Sequence, residues 1–190
     1  MDTFKFWEKQ FQAGACLPLS WLLMASSLHR AAMIIWEQVE QDRKTQLDPE
    51  KLAQSDNIPR LTPVFMFLAG LTIETLVKGI LVSQESALDN NGKFKFNKHN
   101  LVGLLEQASI TLSHDERDLV GRLEQYIKWA GRYPVPLKTS DFVPRSWPSG
   151  EIAPLPQITD SDGPAIFALM EKLKNELEQI IDRNREIKRT

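Results

Sequence analysis

Residues 61–83, LTPVFMFLAGLTIETLVKGILVS, decide the fold of this chain. Thr62-Pro63 sets a proline in the first turn of a helix, and from there the apolar residues fall on every side. A helix without a polar face is either the centre of a bundle or a membrane span. Its only charged residues, Glu74 and Lys78, stand near the middle, where a bilayer is least tolerant of charge, and their four-residue spacing lets them pair. The segment therefore reads as a buried core helix, and no membrane is expected. It should present Phe65, Leu68, Leu76 and Ile80 to neighbours, with Gly70 and Gly79 allowing close approach.

The rest of the chain supplies those neighbours. From Pro18 to about Lys44, Leu22, Ala25, Ala32, Trp36 and Val39 recur at helical spacing on one stripe with His29. Asp48-Pro49-Glu50 has the pattern of a cap, a proline and an acidic first turn for a short helix that ends at Asn57-Ile58-Pro59. After the core helix, Asp89-Asn90-Asn91-Gly92 forms a turn and Lys93-Phe94-Lys95-Phe96 alternates as a short extended arm would. Leu101, Leu104, Leu105 and Ala108 return to helical spacing. Ser113-His114-Asp115-Glu116 is a capping box for a helix that turns Leu119, Leu123, Tyr126, Ile127 and Ala130 inward and stops at Gly131.

Seven of the eleven prolines fall between Pro134 and Pro164, too many for a plain connector. Residues 137–163 are expected to form an irregular arm on the bundle, and 164–188 a last helix. There Ile166, Met170, Leu173, Leu177 and Ile180 step as in a coiled-coil seam, which needs a partner in the same chain or another. The expectation is one all-α domain over 1–190, a bundle of about five main helices with its core in 18–136.

Composition narrows function by exclusion. With 25% charged residues and a formal net charge of -2, no bulk basic excess recruits nucleic acid, so any such ligand must find a local patch. The single cysteine, Cys16, cannot make an internal disulfide and reads as a buried thiol; with no basic and apolar leader at the N-terminus, a cytoplasmic location is expected. Three histidines, none at ligand spacing, give no metal site, and no phosphate loop, nucleophile elbow or zinc-protease motif is present, so no cofactor is expected.

The remaining polar residues are Glu74, Lys78, His99, Tyr126, Arg132 and Tyr133. On the structural reading, Glu74 and Lys78 are a helix-surface ion pair, His99 caps or starts a helix, and Tyr126 is half-buried with a wet hydroxyl. On the functional reading, Arg132 sits at a proline-flanked corner beside Trp129 and Tyr133, where it can grip a phosphate while an aromatic face stacks a base. His29 reads as a core histidine, and His114 is disfavoured as a cation by its helix N-terminus.

Three pieces, IETLVKGIL (73–81), KHNLVGLL (98–105) and YIKWAGRYPVP (126–136), stand in an order and spacing that resembles the HEPN fold (higher eukaryotes and prokaryotes nucleotide-binding). The resemblance spans about Leu68 to Pro136. It implies a helical bundle, a homodimer, and a nucleotide or RNA site near His99, Arg132 and Tyr133, to which Lys78 and Tyr126 are added here as candidate ligand-binding residues, in a family with many members in prokaryotic defence and toxin-antitoxin systems. Ribonuclease members carry an arginine followed four to six residues later by a histidine. No histidine here has that arginine, and Arg132 is followed by Tyr133-Pro134-Val135-Pro136-Leu137. The resemblance thus points to a non-catalytic domain. His99 and Arg132 are the weak candidates for a degenerate, metal-independent ribonuclease. A third possibility is an adaptor whose last helix or arm (Val143-Pro144-Arg145-Ser146-Trp147-Pro148) docks a partner protein.

Overall fold

A computed structural model describes residues 3–46, 60–136, 138–139, 145–146, 152–153, 159 and 161–187. These form six α-helices: α1 (Thr3–Cys16), α2 (Pro18–Gln46), α3 (Thr62–Gln84), α4 (Leu101–Gln107), α5 (His114–Gln125) and α6 (Asp162–Ile187). A π-helical turn, Tyr126–Ala130, prolongs α5. Within the proline-rich arm, β1 (Arg145–Ser146) pairs antiparallel with β2 (Ile152–Ala153). The protein is an all-α bundle. The short helix expected at Asp48-Pro49-Glu50, its end at Asn57-Ile58-Pro59, and most of the arm, including Val143, Pro144, Trp147 and Pro148, lie outside the described residues.

Every other helix packs on α3. By length and composition α3 could cross a membrane, but 72% of its most apolar window is buried inside the bundle. Phe65, Ile73, Leu76 and Ile80 are almost inaccessible, and Leu68 is partly so. The two helical glycines permit the contacts that hold the layers: a Cβ on Gly70 would stand 2.8 Å from Ile127 Cγ1, and one on Gly79 2.7 Å from Leu177 Cδ2. Neither neighbour could stay in place against a methyl group.

The seam of α6 is filled within the chain. Ile166, Met170, Leu173 and Leu177 are fully buried against α2 and α3. The turn after α3 forms as the residues dictate: Asp89 Oδ1 accepts from the amides of Asn91 and Lys93, both at 2.8 Å, and Gly92 takes a left-handed φ of +72°. The alternating arm after it is reduced to one bridge, Leu88 with Phe94; Phe94 then stacks on Trp21 at 5.1 Å and Phe96 enters the core. The capping box also forms: Ser113 Oγ accepts from the Glu116 amide and Glu116 Oε2 from the Ser113 amide. Lys172 on α6 adds an ion pair to Glu116, tying the start of α5 to the last helix.

The N-terminal segment departs from expectation. Helix α1 was not foreseen, although Phe4, Trp7, Phe11 and Ala15 stand at i, i+3, i+7 and i+11; it buries none of its residues. Cys16, at its end, is exposed rather than buried, because α1 turns away from α2 by 70° at Leu17.

Candidate functional site

The polar residues singled out in the sequence separate into three places. The first is a triad on α3. Glu74 and Lys78 are not a surface pair: they are 5% and 7% exposed, and Lys78 Nζ donates to Glu74 Oε1 at 2.5 Å. They can be buried because the second Glu74 oxygen also has a partner. His99 Nδ1 lies 2.9 Å from Oε2 and 3.1 Å from Oε1. A carboxylate can only accept, so the Nδ1–H donates and Nε2 faces outward, an acceptor in the neutral ring and a donor in the imidazolium. The imidazole is itself half exposed. His99 does not cap a helix; Asn100 does, accepting from the Gly103 amide at 3.1 Å, and this fixes the backbone beside the ring. Lys78 is consumed behind Glu74 and presents no free charge to a ligand.

The second place is the corner after the π turn. Arg132 Nη2 donates to the carbonyls of Ile127 at 2.8 Å and Lys128 at 2.9 Å. These are carbonyls at the end of the helical run, where a cation also suits the helix dipole. The guanidinium lies 5.8 Å from the centre of the Phe67 ring and 5.4 Å from that of Tyr133. Arg132 and Tyr133 are both exposed, so the aromatic and cationic pair expected at this corner is present, with part of the guanidinium committed to the helix end.

Phe67 and Glu74 are seven residues apart on α3, two turns on one side of the helix and about 10 Å along its axis. Arg132 covers the first and His99 holds the second. Leu71, between them, is only partly buried.

Tyr126 belongs to the third place and joins neither of the others. It is buried rather than half wet, and burial raises its phenol, with the nearby Arg122 lowering it and Asp162 raising it. Arg122 donates to both oxygens of Asp162, at 2.5 and 2.7 Å, clamping α5 to the first turn of α6. The Thr159 amide donates to the same carboxylate at 2.6 Å. Burial pushes the Asp162 carboxyl up, but these donors outweigh it and hold it below the ordinary carboxylate value. Sequence reading missed this clamp: a lone Arg and a lone Asp 40 residues apart carry no local signal.

His29 is partly buried on α2, 3.6 Å from Glu171 and 5.8 Å from the centre of the Phe167 ring, and lines an open cavity at the edge of the core rather than lying inside it. His114 is exposed at the first position of α5. Among the described residues no group of three His, Cys, Asp or Glu side chains is placed to hold a metal ion.

The arrangement defines an all-α bundle whose most developed polar feature is a buried carboxylate holding one exposed imidazole. No family model, curated protein or solved structure matches the chain.

Proposed function

We propose that this is a HEPN-like domain that binds the phosphate of a nucleotide or of single-stranded RNA, without cleaving it, along the side of α3 between His99 and Arg132. The observation that carries the reading is the Lys78–Glu74–His99 triad. A buried ion pair is seldom the most stable filling for a core, and apolar residues of the same volume often do as well or better. Here the pair fixes one thing that apolar residues would not, the tautomer and orientation of an exposed imidazole. A ring held in this way, with a guanidinium and the Tyr133 face at the next stretch of the same helix side, offers hydrogen bonds, charge and a stacking surface.

The test is equilibrium binding of fluorescent single-stranded RNA and of ATP to the parent, His99→Ala and Arg132→Ala, over a range of salt. The reading requires affinity that falls with salt and weakens by about tenfold in either variant, the loss of one good contact. A parent that binds neither ligand removes it.

A second reading, a ribonuclease with a degenerate site, is favoured by one feature: the free Nε2 of a carboxylate-backed His99 is the geometry of a general base. Intact RNA after long incubation with the parent excludes it. Cleavage that disappears in His99→Ala would put it in place of simple binding.

A further inference from the structure

We infer that the cavity between α2 and α6 binds a small organic cation, an ammonium group carried on an apolar or aromatic body. The cavity shares no residue with the phosphate site, and the inference is independent of that reading. His29, Met33, Trp36 and Glu37 stand at helical spacing on one stripe of α2, and Phe167 and Glu171 one turn apart on α6. Together they enclose about 290 Å³ that opens to solvent. An apolar cavity of about 150 Å³ is enough for benzene, so this one has room for an aromatic ring and a short amine tail.

Shape and charge together select the occupant. The wall is aromatic and held from behind: Phe167 lies 5.8 Å from His29 and 6.5 Å from Trp36, between ring centres, and Phe65 in the core packs on Trp36 at 4.7 Å and on Phe167 at 5.8 Å. A ring entering the cavity therefore meets a preformed surface. Met33, 45% exposed, adds a flexible thioether that can adapt to what is bound. Two carboxylates join these walls where they reach solvent, Glu37, which is exposed, and Glu171, whose side chain is 47% exposed. Among the described residues no lysine or arginine lines the cavity, and Glu37 has no ion-pair partner. Lys174 lies 3.6 Å from Glu171 and Arg43 lies 5.4 Å from the centre of the Trp36 ring, but neither contributes to the lining. A cation gains from both carboxylates and from the aromatic faces. An anion is repelled by the same groups, and a neutral ligand uses the walls but leaves the carboxylates unanswered.

Calorimetric titration of the full chain near pH 7 tests this with phenethylamine, which is then a cation, its neutral isostere phenylethanol, and phenylacetate. The proteins are the parent, Glu37→Gln, Glu171→Gln and the double variant. Both carboxylates reach solvent, so each variant should keep the parent's thermal transition. The inference requires phenethylamine to bind about tenfold more tightly than phenylethanol, with phenylacetate weaker than either. Each glutamine should lower the amine affinity by about threefold and leave the alcohol unaffected, and the double variant should lose the preference. In nuclear magnetic resonance spectra the Met33 methyl and the Trp36 indole should shift along the titration. A parent that binds no phenethylamine overturns the inference. Equal affinity for amine and alcohol overturns it in favour of a merely apolar cavity. A preference that survives in the double variant, or binding that leaves the Met33 and Trp36 signals in place, overturns it by putting the cation elsewhere on the chain.

Discussion

Glu74 on α3 and His99, 25 residues further along the chain, share two nitrogen–oxygen contacts of 2.9 and 3.1 Å, and Lys78 closes the other side of the carboxylate. The contact joins the centre of the core helix to the segment leading into α4. It also makes the environment of Glu74 dependent on a residue that is itself half exposed. Local burial and a surface-accessible group are thereby linked through one carboxylate.

That linkage predicts strong non-additivity. Glu74→Leu leaves the Lys78 ammonium buried without a counter-charge, which should lower unfolding free energy by about 3–5 kcal/mol. Lys78→Met leaves Glu74 with His99 alone and should cost less. The double variant Glu74→Leu/Lys78→Met should recover most of the loss, because neither charge then remains buried. Urea unfolding of the four proteins closes the cycle. Simple addition of the two single effects would show that the pair does not act as a unit.

The clamp between Arg122 and Asp162 predicts an acid-dependent component of stability. The folded-state carboxyl titrates below its unfolded counterpart, so its contribution is complete above about pH 5 and is lost as pH falls through the folded value. Asp162→Asn should cost about 1.5–3 kcal/mol at neutral pH, the usual worth of charged hydrogen bonds. It should also flatten the pH profile below pH 5, because the group that titrates is gone. A variant profile parallel to the parent's would show that another carboxylate governs acid unfolding.

The parts of the fold legible in the sequence are those whose signal is local. The all-round apolarity of 61–83, Pro63 in the first turn, the Ser113–Glu116 box and the Asp89–Gly92 turn each act within a few residues, and each forms as read. What was not legible depends on the tertiary placement of distant residues. Glu74 and Lys78 at four-residue spacing read as a surface pair; the fold brings His99 to the carboxylate and covers all but the imidazole. Tyr126 and Arg132 are six residues apart, yet one faces the α6 clamp and the other the Phe67 ring, because the π turn intervenes between their directions. Helix α1 had a readable stripe, and its period alone would have found it.

Removing the Arg132 side chain deletes two hydrogen bonds to helix-end carbonyls and the contact with Phe67. Arg132 is exposed, so its truncation lets water reach the carbonyls it leaves, and Arg132→Ala should cost only about 1 kcal/mol of stability. Arg132→Lys should retain the charge near the helix end but lose the planar stack, and should recover less than half of any lost ligand affinity. Thermal melts beside binding isotherms separate the two effects; a loss of several kcal/mol would make Arg132 a structural keystone instead of a binding residue.

Gly163 predicts the largest effect from the smallest change. It lies in the first turn of α6, and a Cβ there would fall 2.1 Å from Trp36 Cζ2 and 2.5 Å from Cε2 and Cη2. Retreat of the partly buried indole would break its ring contacts. Its ring packs on Phe65 at 4.7 Å between centroids and edge-on to Phe167 at 6.5 Å, and Arg43 lies 5.4 Å from the ring centre. Moving α6 away instead would loosen Asp162 from Arg122, since Asp162 directly precedes the glycine. Gly163→Ala should therefore destabilise by about 1–3 kcal/mol, the range for overpacking a well-filled core, despite the better helix propensity of alanine. Adding Trp36→Phe, which removes the clashing edge, should restore part of the loss even though Trp36→Phe alone destabilises. Chemical unfolding of the three variants decides it: an alanine variant as stable as the parent would mean that the indole and α6 are less tightly apposed than this packing requires.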